Sequence, residues 1–315
     1  MTNILITAIG GDIAQATASI VRMGFPDWQI FGVDMDSRHG GRLYVDQYYE
    51  APSATSELYV NWLQAFVKKN EIDYCLPTSE AELKVLARRG GDEIGGARLL
   101  WAGPTAVSVG CDKLRTAEFI ESAGVPAPWT LATSAEIMPA SLPCLFKLRR
   151  SAGSKAVFVC NSIEEVRFFA ARYPDSVVQE FLPDSAQEIT CAVYRTHAGE
   201  VAVLQMLRQL VEGKTNWASV VDYPAITEQC SKIAHAIDLH GSINVQLRMT
   251  PNGPRIFEIN PRLSSTVLMR HLIGFTDVLW MLDEASGKNV QLIRPKPGMV
   301  VVRTQGAKIE DYGIQ

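Results

Sequence analysis

The sequence predicts a mixed α/β fold, with a doubly wound parallel sheet in the first third of the chain and an α+β region after it. Three observations support this prediction. The chain has 315 residues, 47% of them apolar, which is enough for two or three packed layers. Short apolar runs alternate with amphipathic segments up to about residue 103, a pattern typical of parallel sheets covered by helices. After residue 111 the strands dominate and few helices separate them.

Each element of the first third follows from one short segment. Apolar runs predict strands at 4–9, 29–33, 74–77 and 98–101. Apolar residues at helical spacing predict helices at 13–23, 57–69 and 80–89 between them. Since strands and helices alternate, the strands are expected to lie parallel, and a domain boundary is expected near 103–111.

Two loops follow predicted parallel strands, at the edge where open α/β sheets bind ligands. The first is a glycine turn, but Ala8 and Ile13 stand where a dinucleotide fingerprint needs glycine, and only Gly10 matches. A nicotinamide-dependent oxidoreductase is therefore disfavoured. The second loop is Leu76–Glu80, which is either a ligand loop or a helix start capped by Ser79.

The rest of the chain predicts an antiparallel β-rich region. Strands are predicted near 143–147, 155–160 and 176–181 around one helix at 162–172, followed by a long β-rich stretch at 187–211. A further pair of helices, at 225–239 and 275–286, brackets two strands joined by Pro251–Gly253.

Charge and apolar runs exclude two kinds of partner. The 30 basic and 34 acidic residues give a net charge of −4, which offers no electrostatic footprint for nucleic acid. No apolar run approaches the ~20 residues of a membrane span, and the amino terminus lacks the basic region of a signal peptide. A cytoplasmic protein is expected. Its six cysteines are too widely spaced for a zinc site and are expected to be reduced thiols.

The hairpin predicted from Ile243–Met249 and Arg255–Asn260 is the strongest candidate for chemistry. Apolar and polar side chains alternate along its first strand, so the polar ones share a face. With the turn centred on Asn252, polar residues of the two strands pair on that face: Asn244 with Asn260, and Gln246 with Glu258. This pairing depends on the register, because a slip of one residue would send the donors to opposite faces.

Oxygen donors with a single carboxylate suit Mg²⁺, which completes its shell with nucleotide phosphates, and do not suit zinc. The candidate metal ligands are Gln246, Glu258 and Asn260. An exposed polar face of an ordinary hairpin is the alternative. Arg262 places a guanidinium beside the hairpin, which favours the metal site.

Two further segments suggest nucleotide contacts. Lys147 ends a strand and precedes a loop of small residues, whose backbone N–H groups can approach a phosphate. The loop leads to a strand and is not a Walker P-loop, so an ordinary hairpin loop is equally open. The strand 177–182 carries Glu180, which could accept the exocyclic amine of adenine, and Glu188 could bind a ribose. Surface glutamates at a strand end are the alternative for each.

Taken in chain order, these segments resemble the ATP-grasp superfamily, in the branch similar to the large subunit of carbamoyl phosphate synthetase. The matching pieces are Lys113, Lys147, Gln179–Glu180, Glu188, Asn244-x-Gln246 and Glu258-x-Asn260-Pro-Arg262. The chain departs from the family pattern at Leu148, where proline is common, and at Ala8, Ser151 and Ala156, where glycine is common. The resemblance implies a Rossmann-like preATP-grasp domain at 1–108, a small lid subdomain at 109–182 and a large subdomain with the metal hairpin at 183–315.

The resemblance also implies a role for each site residue. Phosphates would meet Lys113, Lys147 and the loop residues Gly153 and Ser154; adenine would meet Gln179, Glu180, Phe181 and Leu182; ribose would meet Glu188; Mg²⁺ or Mn²⁺ would bind Gln246, Glu258 and Asn260; and the transferring phosphate would meet Arg262. Arg208 and Lys214 could face a substrate carboxylate, with solvated strand-end cations as the alternative.

The implied activity is an ATP-dependent carboxylate–amine ligase, in which Lys147, Arg208 and Arg262 carry the chemistry. ATP would convert a carboxylate into an acyl phosphate, and an amine would displace the phosphate. Small-molecule carboxylate and amine substrates and a homodimer are expected. Two alternatives stay open: an enzyme that phosphorylates bicarbonate or a carboxylate for a partner chain, and a non-catalytic or regulatory ATP-binding protein.

Overall fold

The computed structural model describes residues 1–134, 138–151, 156–183 and 187–304. Within them the chain forms three sheets that follow one another in sequence, each covered by helices. The mixed α/β class predicted from the sequence is confirmed. None of the helices in these ranges has the length and apolar character needed to cross a membrane.

The first sheet is mostly parallel, in the order β3-β2-β1-β4-β6-β5, and only the β5–β6 pair is antiparallel. Its strands are β1 (Asn3–Thr7), β2 (Gln29–Asp34), β3 (Gln47–Glu50), β4 (Tyr74–Leu76), β5 (Glu93–Ile94) and β6 (Ala97–Leu99). Its helices are α1 (Asp12–Gly24), α2 (Tyr59–Lys69), α3 (Glu80–Arg89) and α4 (Pro104–Gly110), with a 3₁₀ helix at Gly40–Tyr44. Strands β3 and β5 are not predicted from the sequence, since neither has the apolar run that marks a central strand.

The second sheet is antiparallel and small, in the order β7-β10-β8-β9. Its strands are β7 (Thr130–Ala132), β8 (Cys144–Leu148), β9 (Val157–Cys160) and β10 (Ser176–Glu180), and its helices are α5 (Lys113–Ser122) and α6 (Ile163–Arg172). One face packs on α6 through Phe146 and Val178. Because side chains alternate along a strand, Lys147 and Gln179 point from the opposite face.

The third sheet is antiparallel, in the order β15-β14-β11-β12-β13-β16. Its strands are β11 (Gln187–Arg195), β12 (Val201–Val211), β13 (Lys214–Val221), β14 (Gly241–Thr250), β15 (Gly253–Asn260) and β16 (Val300–Val302). Helix α7 (Pro224–Ala236) covers one face through a core around Ile226 and Ile233. Helices α8 (Val267–Leu272) and α9 (Asp277–Ala285) share a second core with α1, which joins the third sheet to the first domain.

Candidate active site

Beyond Leu247, the β14–β15 hairpin has the register that the sequence predicts, whereas nearer the turn its pairing is offset by one residue. Asn244 pairs with Asn260 and Gln246 pairs with Glu258. The register shifts beside Gln246, because Leu247 pairs with Ile256 and leaves Phe257 as an extra residue on β15. This β-bulge brings Glu258 opposite Gln246, and the polar donors therefore share one stretch of the hairpin.

Asn244 orients the neighbouring amides. Its Nδ2 donates to Thr190 Oγ1 at 2.7 Å and to the Cys191 carbonyl at 3.1 Å, which fixes the buried side chain. Its Oδ1 accepts from Gln246 Nε2 at 3.3 Å and from Asn260 Nδ2 at 3.4 Å. Since the amide nitrogen of Asn260 is held in this way, its oxygen is left to face a ligand.

Two lysines surround the Glu258 carboxylate. Lys147 Nζ donates to Gln179 Oε1 at 2.7 Å and lies 5.4 Å from the centroid of the Phe257 ring. Lys113 Nζ donates to the Ser151 carbonyl at 2.7 Å. Burial lowers the pKa of Lys147 to about 8, and it also lowers the pKa of Lys113.

Glu258 is the main group that keeps these ammonium groups charged. Its negative charge is the largest influence raising the pKa of both Lys113 and Lys147 against their burial. Within the described part of the chain, the Glu258 carboxylate accepts no hydrogen bond and lies in no ion pair. A carboxylate that faces two cations without a bonding partner is suited to a metal ion or to a phosphate–metal complex.

A second charged cluster lies next to the hairpin. Glu188 accepts from Arg208 Nη2 at 2.5 Å and Nε at 3.1 Å, and lies 3.4 Å from Arg248 Nη2. Arg208 also donates to Gln246 Oε1 at 3.0 Å. The side chain of Arg208 is only 9% exposed, so the alternative of a solvated strand-end cation is wrong for it. Lys214 is exposed and lies 3.2 Å from Asp12.

Arg262 forms an ion pair with Glu80, which lies beside the first sheet. Its Nη2 lies 3.2 Å from Glu80 Oε1, the first residue of α3, and both side chains are largely buried. Ser79 caps α3 in a capping box, as one interpretation of this segment predicted. Glu80 also lies beside Glu258 and Lys113 around a small cavity, so the loop after β4 reaches the site.

The Glu180 carboxylate faces away from the lysine cluster. It lies 2.8 Å from Arg255 Nη2 and accepts from the Trp129 backbone N–H at 3.3 Å. The carbonyl of Leu182 accepts from Arg248 Nη1 at 2.6 Å. That adenine contacts Glu180, or the backbone of Phe181 and Leu182, stays a prediction. The predicted phosphate-loop residues Gly153 and Ser154 lie outside the described residues.

The glycine turn after β1 is filled by the protein's own side chains. The Gly10 N–H donates to Asp34 Oδ2 at 2.8 Å, and a Cβ on Gly10 would lie 2.7 Å from His39 Cδ2. Ala8 has φ 50° and Ala156 has φ 52°. Both alanines therefore adopt the left-handed conformation that glycine takes most readily, at positions where the sequence departs from the family pattern.

Several residues of this site were not assigned to it from the sequence. Glu80 was noted only as part of a loop or cap, and its contact with Arg262 spans 182 positions. Arg248 and Asn244 lie on the same strand face as Gln246, and this alternation is the signal that could have included them. Phe257 carries no sequence signal for its bulge.

The donor set fits a metal that is shared with phosphate. Among the described residues no group of three or more His, Cys, Asp and Glu side chains forms a metal cage. Glu258 and Asn260 supply a carboxylate and an amide oxygen, which suits Mg²⁺ when a phosphate provides further ligands. The predicted third ligand, Gln246, already accepts a hydrogen bond from Arg208 Nη2 at 3.0 Å through its amide oxygen, so a cation holds the atom that a metal would need. Lys113, Lys147 and Arg262 supply the positive charge that a polyphosphate requires.

Parts of this chain match two protein families and one curated relative. Residues 172–307 match a family described as ATP-grasp in the biosynthetic pathway with Ter operon, and residues 4–93 match the PylC-like N-terminal domain. A curated relative, the carbamoyl phosphate synthase large chain of Pyrococcus furiosus, is 26% identical over 152 residues. That match covers 42% of this chain and only 14% of the relative.

Solved structures share the fold over nearly the whole chain. The N5-carboxyaminoimidazole ribonucleotide synthetase of Thermus thermophilus superposes with a TM-score of 0.77 at 18% identity, covering 98% of this chain and 84% of that one. A biotin carboxylase from Campylobacter jejuni, in complex with a nucleotide, gives 0.71 at 17% identity, covering 92% and 72%. At these identities the likeness establishes the fold alone.

Proposed function

We propose that this chain is an ATP-dependent ligase of the ATP-grasp type that activates a carboxylate as an acyl phosphate and joins it to an amine. ADP and phosphate would be released. The observation that carries the proposal is the convergence of Lys113 and Lys147 on Glu258, beside Asn260, on the bulged hairpin. A protein that only bound a nucleotide would have no need for a carboxylate held between two buried cations.

The triphosphate would lie between the β14–β15 hairpin and the face of the second sheet that carries Lys147 and Gln179. Lys147 reaches this space from β8 and Lys113 from the start of α5. Mg²⁺ held by Glu258 and Asn260 would supply positive charge to the phosphate oxygens when bound. Both lysines are largely buried, so their electrostatic attraction to phosphate is stronger than it would be at an exposed surface.

In the first step an oxygen of the substrate carboxylate would attack the γ-phosphorus in line. The new P–O bond forms while the bond to the β-phosphate oxygen breaks and ADP leaves. Lys147, Lys113 and Arg262 would hold the transferring group by charge, so that the protein contributes mainly position and electrostatics. In the second step the amine nitrogen would attack the acyl carbon, lose a proton and expel phosphate.

Glu188 is proposed to bind the ribose through Oε2, which accepts no hydrogen bond from Arg208 and lies 3.4 Å from Arg248 Nη2. Arg208 donates hydrogen bonds to both Glu188 and Gln246. A ribose contact at Glu188 and the metal site beside Gln246 would therefore be coupled through one guanidinium. We propose that Arg208 positions these two groups. Its nearly complete burial leaves little of the guanidinium to meet a substrate carboxylate.

The test is Mg²⁺-dependent release of ADP from ATP with pooled carboxylates, in the presence and absence of pooled amines. Wild type is compared with Glu258→Gln and with Glu164→Gln, whose carboxylate lies on α6 away from the site. We expect ADP release that needs both pools, a loss of at least 10²-fold in Glu258→Gln, and no change in Glu164→Gln.

The same assay separates the alternatives. ADP release that needs a carboxylate or bicarbonate without an amine would favour an enzyme that hands an acyl phosphate to a partner chain. ATP binding without turnover in every pool would favour a regulatory nucleotide-binding protein. Full activity of Glu258→Gln would overturn the metal assignment.

A further inference from the structure

A positively charged cleft lies outside the site described above. It has a volume of about 390 Å³ and is lined by α3, α4 and α5 together with the end of β8. Its charged lining consists of Lys84, Arg88, Arg115, Arg150 and Asp112, a net charge of +3. The whole chain carries −4, so this concentration of positive charge is opposite in sign to the protein around it.

The single carboxylate of the cleft is already neutralised. Asp112 accepts from Arg149 Nε at 2.7 Å and from Arg150 Nε at 3.2 Å, and Arg150 also lies 3.0 Å from Asp175. Asp112 therefore does not offset the charge of the remaining cations. Burial also leaves this carboxylate little room to face a ligand, since its side chain is 7% exposed.

Three cations of the cleft are left for a ligand. Within the described residues, the side chains of Lys84 and Arg88 form no hydrogen bond or ion pair, and the guanidinium of Arg115 donates only to the Ser108 hydroxyl, at 2.8 Å. Lys84 and Arg88 lie four residues apart on α3, where like charges repel and destabilise a helix. An anion bound between them and Arg115 would relieve that repulsion.

The cleft adjoins the small cavity of the candidate active site. Cys111 lines both this cleft and the small cavity that contains Glu80, Lys113 and Glu258. Glu80, Lys84 and Arg88 follow one another at intervals of four on α3, so they form a single stripe along the helix. The stripe runs from the partner of Arg262 at one end to the basic cleft at the other.

We propose that this cleft binds a small free polyanion, a molecule with a phosphate ester or with two or more carboxylates. The volume is that of a small-molecule site. An arginine presents a planar fork to a phosphate or carboxylate, and a lysine adds a point charge, so the pair suits such a ligand. The inference concerns a second site and does not depend on the proposed ligase reaction.

Inorganic pyrophosphate is the probe, and its binding is measured by calorimetry in EDTA with a saturating non-hydrolysable ATP analogue. The analogue fills the nucleotide site and EDTA prevents formation of a metal–pyrophosphate complex. We expect one equivalent to bind, with an affinity that falls as salt is raised. Lys84→Gln/Arg88→Gln should weaken binding at least tenfold. If the double variant does not fold, Arg115→Gln removes a cation from the α5 side of the cleft and should also weaken pyrophosphate binding.

Two matched controls make the result specific. Lys68→Gln/Lys69→Gln removes the same charge from the exposed end of α2, and Lys147→Gln changes the nucleotide site. Both should leave pyrophosphate affinity unchanged. The proposal is overturned if pyrophosphate fails to bind in the presence of the ATP analogue, or if the α3 variant and Arg115→Gln bind it as tightly as the wild type.

Discussion

The guanidinium of Arg262 lies 3.2 Å from the carboxylate of Glu80. The two residues belong to distant parts of the fold: Glu80 begins α3 beside the parallel sheet, and Arg262 follows the β14–β15 hairpin. This ion pair joins the start of α3, which follows the loop after β4, to the proposed phosphate site. A substrate that engages Arg262 must therefore compete with Glu80 or bind beside it.

We expect Arg262→Lys to lower kcat by about 10²-fold to 10³-fold, because a lysine cannot replace the planar fork on the transferring phosphate. Glu80→Gln should lower kcat about tenfold through loss of positioning. If Glu80 acts through Arg262, the double variant should be no worse than Arg262→Lys alone. Additive losses in this double-mutant cycle would show that the two residues act independently.

Asn244 is predicted to act on metal affinity without contacting the metal. Asn244→Ala removes the oxygen that holds the amides of Gln246 and Asn260. The Mg²⁺ concentration for half-maximal activity should rise by about 10-fold to 100-fold. Binding of ATP in EDTA should stay within a factor of two or so, and a comparable loss there would indicate general damage to the site.

ATP affinity should depend on pH through Lys147. The folded-state pKa of this ammonium is about 8, below its ordinary value, because the group is buried. Phosphate binds the protonated form, so affinity should be flat below pH 8 and fall about tenfold per pH unit above it. Lys147→Arg stays charged throughout and should remove the slope in calorimetric titrations. A slope that persists in Lys147→Arg would assign the titration to another group.

The stability of the segment that follows Arg262 should depend on a buried ion pair between α8 and α9. Arg270 donates to Asp277 at 3.0 and 2.6 Å and to the Ser264 hydroxyl at 2.8 Å, and both charged side chains are almost fully buried. Asp277→Ala leaves the guanidinium buried without its carboxylate and should lower the free energy of unfolding by about 3–5 kcal/mol.

The matched control for this pair is Asp238→Asn, which removes the charge of a pair with Arg195 in which the aspartate is 71% exposed. Asparagine is used because residue 238 has φ 47°, a left-handed conformation that asparagine tolerates better than alanine. This substitution should cost less than about 1 kcal/mol. Urea unfolding midpoints measure both variants. Equal shifts would contradict a special contribution from the buried pair.

Much of the fold could be predicted because local patterns report local structure. Alternation of apolar runs and amphipathic stretches predicted the parallel strands β1, β2, β4 and β6, and the two-residue period of β14 predicted which of its side chains share a face. Short edge strands such as β5 were not predicted, because a strand of two residues is too short to show a hydrophobic pattern.

The site was predicted only in part, because its final geometry depends on packing between distant segments. A regular ladder continued from the observed turn, where Thr250 pairs with Gly253, would place Gln246 opposite Phe257. The bulge at Phe257, whose ring lies below Lys147 of the second sheet, brings Glu258 to that position instead.

The sequence alone thus determined which residue types could bind phosphate and metal, since strand periodicity and side-chain chemistry are local properties. Only the tertiary structure decided that Glu80 meets Arg262, that Arg208 is buried against Glu188, and that Arg255 holds Glu180. Each of these pairs joins segments that are distant in the sequence or lie on different strands. Such contacts are fixed by burial and charge balance in the folded chain, which spacing along the sequence does not encode.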